Sequence, residues 1–151
     1  MSHEWHPEAG IGFVAFFVVV WCGVSVLIGI VGGWRRLAET YRAQGDFDGP
    51  RWRFTSARMR FSVNYNGCLI LGANAGGLYM ATLLLFRLGH PALFVPWSDV
   101  GVVERSGLVF KYLEFSFVKA PGVTLRVRRR LGLALLEAGR QEIGKLGAAI
   151  A

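Results

Sequence analysis

The stretch IGFVAFFVVVWCGVSVLIGIV, residues 11–31, contains no charged residue. Its 21 residues, read as a helix at ~1.5 Å per residue, span roughly 30 Å, the thickness of a bilayer's hydrocarbon core. The flanks differ in charge. Residues 1–10 hold Glu4 and Glu8 and no Lys or Arg, whereas Trp34-Arg35-Arg36 follows the run. Positive charge stays on the cytoplasmic side, so the sequence predicts a single-pass protein of a bacterial inner membrane, with the N-terminus outside and the rest inside. The acidic n-region and the long apolar run, with no small-residue cleavage site after it, argue against a removed signal peptide.

Outward from this run the chain divides into an outer tail (1–10), a span (11–33), a juxtamembrane helix and linker (34–50) and a cytoplasmic domain (51–151). All 17 Lys and Arg follow residue 34, against 8 of the 10 acidic residues. The cytoplasmic part is strongly basic, and a tethered basic domain feels the anionic lipids of the inner leaflet, at about 1 kcal/mol per basic residue near the surface. Cys22 lies in the span and Cys68 in the domain, so no disulfide or thiol metal cluster is expected.

The helix of the span is read as continuing through WRRLAETYRAQ (34–44) to a turn at Gly45-Asp46-Phe47-Asp48-Gly49-Pro50. Short strands follow. RWRFTSARMRFSV (51–63) reads as one irregular strand. CLILGA (68–73), Asn74-Ala75-Gly76-Gly77 and LYMATLLLF (78–86) read as a hairpin. The same stretch is apolar enough to compete as a second span. Asn74 and the two glycines favour a turn instead, and export of the basic C-terminal part would oppose the charge rule. ALFVPW (92–97) is a further extended piece. Leu113, Phe115 and Phe117 alternate with Glu114 and Ser116, and Val123, Leu125 and Val127 alternate with Thr124, Arg126 and Arg128, giving two half-buried strands. From about Arg130 to Ala148 the pattern is helical, with Leu136, Gly139, Ile143, Leu146 and Ile150 as its apolar stripe.

The order of these elements, with the stretch Pro96-Trp97-Ser98-Asp99-Val100, resembles small bacterial membrane-linked domains carrying an I-P-W-x-D-I stretch. They are of the pleckstrin-homology-like (PH-like) or GRAM-like kind. The resemblance spans about residues 55–148. It implies an α+β domain, an antiparallel β-barrel capped by a C-terminal helix. It implies binding of lipid head groups or proteins, and no catalytic activity. The hairpin turn at Asn74 lacks the paired Lys or Arg of a phosphoinositide site.

Within the span, Ser25, Gly29 and Gly33 recur every four residues and would let another helix approach closely. Trp5 and Trp34 flank the span, where indole rings anchor helices at the interface. Phe13, Phe16, Phe17 and Trp21 offer bulky surface to lipid, to other helices or to a flat pigment, a peripheral contact rather than a cofactor site. Arg35 and Arg36, with Arg126, Arg128 and Arg130 placed together by strand alternation, are candidates for contact with anionic lipid or an acidic partner. Nucleic acid is not expected, since no stacking aromatics interleave with that cluster. His3 and His6 with Glu4 read as a polar tail rather than a metal site, and His90 reads as a turn residue. Hydrolase, metalloprotease, nucleotide-loop and dinucleotide motifs are absent from the sequence. The expectation is a non-catalytic accessory subunit bracing a larger membrane complex, of the photosynthetic or respiratory kind, with other transmembrane subunits as partners. The alternative is a membrane-anchored adaptor binding anionic head groups or a soluble protein.

Overall fold

A computed structural model describes residues 7–150. The charge-free run lies in one helix, α1 (Pro7–Val31), of 25 residues. It is long and apolar enough to cross a membrane, with mean hydropathy 2.8 over its most apolar window, and Phe13, Phe16, Phe17 and Val19 lie exposed along it. The helix begins at Pro7, so residues 7–10, read as outer tail, are helical. It does not run on past residue 31. Gly33 takes a left-handed backbone (φ 84°) and the chain turns into a separate helix, α2 (Trp34–Tyr41). A side chain at Gly33 would also meet Val123 at 2.8 Å, so the break needs glycine for conformation and for space.

α2 is part of the domain rather than a juxtamembrane extension. Trp34, Leu37 and Tyr41 fall on one helical face and are buried in the main core. Seven antiparallel strands follow: β1 (Arg51–Met59), β2 (Val63–Ala73), β3 (Gly77–Thr82), β4 (Leu93–Pro96), β5 (Val100–Ser106), β6 (Lys111–Phe117) and β7 (Thr124–Arg128). They form one curled sheet in the order β4-β3-β2-β1-β7-β6-β5, a half-barrel whose two halves join where Arg58 of β1 pairs with Arg126 of β7. β1 carries register shifts around Thr55, which bend it. The C-terminal helix α3 (Arg129–Ile150) packs on the sheet.

The competing second span resolves as the β2–β3 hairpin. Asn74 caps its turn, with its side-chain oxygen accepting from the backbone N–H groups of Gly76 at 2.9 Å and Gly77 at 3.1 Å. All six residues of β3 are buried because both faces are covered. Leu78 and Met80 join the main core. Tyr79 and Ala81 join a second cluster with Phe47, whose ring stacks on Tyr79 at 4.5 Å. The linker around Phe47 is therefore a covering layer. A strand buried on both faces reads as a continuous apolar run, which is why it mimics a membrane segment.

The alternation read at β6 and β7 holds: Leu113, Phe115, Phe117, Val123, Leu125 and Val127 are all buried. β5 leaves no alternating pattern in the sequence. It is an edge strand, largely exposed, paired through its length with β6. The stretch Pro96-Trp97-Ser98-Asp99-Val100 links the two edge strands, β4 and β5. Trp97 donates from its ring nitrogen to the Asn74 carbonyl at 2.8 Å and covers Gly139 of α3. Asp99 accepts from the Tyr41 hydroxyl at 3.0 Å and pairs with Lys119 at 3.5 Å. This motif ties the half-barrel to α2 and α3.

The apolar stripe of α3 has the phase the sequence suggests, with Gly139 buried and Leu136 packed against the core, but it is covered only over the first half of the helix. Gly132, Leu135, Ala138 and Gly139 are buried; Leu113 packs on Gly132 and Trp97 on Gly139. Ile143, Leu146 and Ile150 lie on the exposed last turns.

Candidate functional site

The junction of α1 with the domain holds Ser25, Gly29, Gly33 and Trp34 of the residues singled out from the sequence. Ser25 and Gly29 are buried, although most of α1 is not. The expected neighbour was a helix of another subunit. The occupant is the chain's own loop, residues 83–90. The Ser25 hydroxyl donates to the Leu88 carbonyl at 3.2 Å, and the Trp21 ring nitrogen donates to the Leu85 carbonyl at 3.2 Å. A Cβ on Gly29 would lie 2.8 Å from the Gly89 carbonyl oxygen and 3.2 Å from the His90 ring. Small residues do permit close approach here, but of a loop in the same chain.

Below this seat lies a buried polar cluster. His90, read as a turn residue, is only 2% exposed. Its Nε2 lies 3.1 Å from the Tyr65 hydroxyl and its Nδ1 lies 3.3 Å from the Leu88 carbonyl. A neutral imidazole with its proton on Nδ1 satisfies both, with the hydroxyl donating to Nε2. Trp34, expected as a lipid-interface anchor, is fully buried. Its ring lies 5.2 Å from His90 and 5.8 Å from Tyr65, and its N–H donates to the Pro91 carbonyl at 2.8 Å. The signal that distinguishes these roles is absent from local pattern, because the three residues are brought together by tertiary contacts.

Burial depresses the pKa of His90 below its usual 6.5, against a smaller opposing effect of backbone hydrogen bonds, and burial raises that of Tyr65. His90 is neutral when folded and protonates more readily when unfolded. Its contribution to stability is therefore complete above pH about 6.5 and is lost as pH falls below it. The midpoint of denaturant unfolding of the full chain in detergent should fall with acidification in that range, and His90→Gln should flatten the fall. An unchanged slope in His90→Gln would assign the acid sensitivity to other groups.

Gly29→Leu should displace the loop, because the nearest obstacle is backbone and cannot rotate away. The expected cost is about 1–3 kcal/mol, as for overpacking of a close contact. Tryptic cleavage at Arg87 should accelerate. Parent-like melting and cleavage would show that the loop does not sit on this face.

The basic residues do not form one cluster. Arg35 and Arg36 are exposed on α2, with Arg35 paired to Glu39 at 4.0 Å. Arg126 is held by Glu114, which also faces Arg105 at 3.6 Å. Arg128 lies over the Phe110 ring at 5.3 Å and Arg126 over Tyr112 at 5.5 Å. Arg130 falls in the first turn of α3, so it leaves the strand alternation that was to place it beside Arg126 and Arg128. Arg58 does join them, lining the same groove with Phe110, Tyr112 and Asn64. The hairpin tip Leu108-Val109-Phe110 projects beside it, strongly exposed.

Trp5, His3, His6 and Glu4 lie outside the described residues. Among the described residues no three His, Cys, Asp or Glu side chains converge as metal ligands. Cys68 is half-buried, and burial pushes its thiol pKa up, away from the thiolate form that reacts. No protein-family model matches this sequence, and no curated protein or solved structure proves similar to it.

Proposed function

We propose that this chain is a non-catalytic, membrane-anchored adaptor. In this reading a PH-like or GRAM-like half-barrel is fixed to one span of a bacterial inner membrane, with its N-terminus outside and its domain in the cytoplasm. The observation that supports an adaptor over an accessory subunit is the loop filling the Ser25–Gly29 face. That face was the span's best site for a partner helix, and it is used to mount the chain's own domain. What remains open for recognition is the groove of Arg58, Arg126 and Arg128 with Phe110 and Tyr112. Arginines over aromatic rings beside an exposed apolar tip suit an acidic protein surface with an apolar centre. Arg35, Arg36 and the other exposed cations would add a general attraction to anionic lipid.

The accessory-subunit reading keeps one observation in its favour: Ile143, Leu146 and Ile150 lie exposed on the last turns of α3, an apolar edge that another subunit could cover. Native gels after gentle detergent extraction separate the two. The adaptor should run as a small species or with a soluble partner, and Arg58→Glu with Arg128→Glu should release that partner. Co-migration with a large membrane complex, unaffected by these charge reversals, would instead support the subunit.

A further inference from the structure

The loop of residues 83–90 runs along α1 rather than away from it. Its contacts climb the helix in order: Leu85 meets Trp21, Leu88 meets Ser25, and Gly89 and His90 meet Gly29. Trp21 lies ten residues before Val31, the end of α1, so the loop reaches on the order of 15 Å along the helix from that end. Phe17, Trp21 and Phe86 form a continuous aromatic row, with ring centres 6.1 and 5.2 Å apart. Along this whole length α1 is free of charge.

The outward face of the loop is apolar. Leu84, Leu85 and Leu88 are 78%, 73% and 57% exposed. Three adjacent leucines left open beside a span are poorly explained by water. Five carbonyls of the loop are satisfied within the protein. The carbonyls of Leu83, Leu84 and Arg87 accept from Phe86, Arg87 and His90 N–H groups. Those of Leu85 and Leu88 accept from Trp21 and Ser25 of α1. Irregular backbone at membrane depth needs protein partners for its polar groups, and these five carbonyls have them. Arg87 is exposed on a long stem, which can carry its charge back to the phosphates.

We propose that residues 83–88 enter the bilayer leaflet on the domain's side, with Leu84, Leu85 and Leu88 among the lipid acyl chains. The chain then holds the membrane by a span and by a wedge locked to it, which fixes the height and orientation of the half-barrel. Lipid is the occupant because the wedge shares the depth of the exposed, charge-free helix that it is bonded to. The proposal rests on the reading of α1 as a span.

The test uses the full chain with Cys22→Ala and Cys68→Ala, reconstituted in vesicles of phosphatidylcholine with a minority of phosphatidylglycerol. A nitroxide is attached at Leu85→Cys, and in parallel at Leu84→Cys. Val19→Cys in α1 and Phe110→Cys at the β5–β6 tip serve as references, all four side chains being well exposed. Melting curves confirm that each labelled protein retains its fold. Spin-label collision with oxygen, which concentrates in lipid, is compared with that of a water-soluble nickel chelate. The oxygen-to-nickel ratio at residues 84 and 85 should approach that at Val19 and exceed that at Phe110 severalfold. A ratio at the Phe110 level, with Val19 still lipid-like, would put the loop in water and overturn the wedge while leaving the span intact. Low collision with both reagents at residues 84 and 85 would mean a protein covers the loop, which also overturns it. A water-like ratio at Val19 itself would remove the span and the wedge with it.

Discussion

Trp34→Ala should cost the protein about 5 kcal/mol, enough to threaten the fold of a domain whose total stability is of the order of 5–15 kcal/mol. Removing a fully buried large aromatic ring costs about 3–5 kcal/mol through lost burial and the cavity left behind, and Trp34 is fully buried. The substitution also strips the Pro91 carbonyl of its 2.8 Å donor. An orphaned buried acceptor adds about 1–3 kcal/mol. The damage should be directional. Trp34 is the first residue of α2 and holds the end of the 83–91 segment against Tyr65 and His90. The loop should therefore loosen from α1 as well. Far-UV circular dichroism of the full chain in detergent gives the loss of stability, and tryptic cutting at Arg87 reports the loosening. Trp34→Phe should retain most of the apolar burial and lose mainly the hydrogen bond. If Trp34→Ala melts like the parent, the ring stands at the lipid interface, as its position after a charge-free run suggests, and the buried cluster is wrong.

That contrast marks where sequence reasoning succeeds on this chain. Patterns that depend on one strand and one face are legible. Leu113-Glu114-Phe115-Ser116-Phe117 announces a half-buried strand, and Asn74 followed by two glycines announces a turn, because alternation and turn chemistry are local. The apolar helix is legible from length and the absence of charge. What covers an apolar or small residue is not local. Ser25 and Gly29 announce close approach, but not whether the neighbour is a foreign helix or the chain's own loop, and Gly33, read on the same helical face, lies beyond the helix end and meets Val123 instead. β3 reads as membrane-like because a linker residue, Phe47, covers its second face. β5 escapes notice because an edge strand takes its register from β6 and need bury little. The stripe of α3 is legible in phase, since Gly139 and Leu136 share the packed face with Gly132, where Leu113 and Trp97 need the space; what is not legible is that the packing stops there, so that Ile143, Leu146 and Ile150 continue the same face uncovered. The Trp34–Tyr65–His90 cluster joins three distant segments and leaves no periodic trace.

Phe115→Ala should cost about 3–5 kcal/mol, the range for deleting a buried phenyl ring. Phe115 is completely buried at the centre of β6, between Leu113 and Phe117 on the same face and opposite Leu125 of β7. β6 has hydrogen-bonded neighbours on both sides, β5 and β7, so the backbone has little freedom to collapse into the space left behind. Arg126 and Glu114 pair across the other face of the same two strands. Arg126→Ala should cost only about 1 kcal/mol or less, since Arg126 is partly exposed and Glu114 keeps Arg105 nearby. Two substitutions one residue-pair apart thus differ by severalfold in effect, and the difference depends on which face of the half-barrel is core. Urea unfolding of the full chain in detergent measures both. A shift of midpoint with an unchanged slope assigns the loss to the native state. Equal losses for Phe115→Ala and Arg126→Ala would mean that the Phe115 face of the sheet is not the core, and circular dichroism of the full chain showing little strand beside its helices would remove the half-barrel altogether.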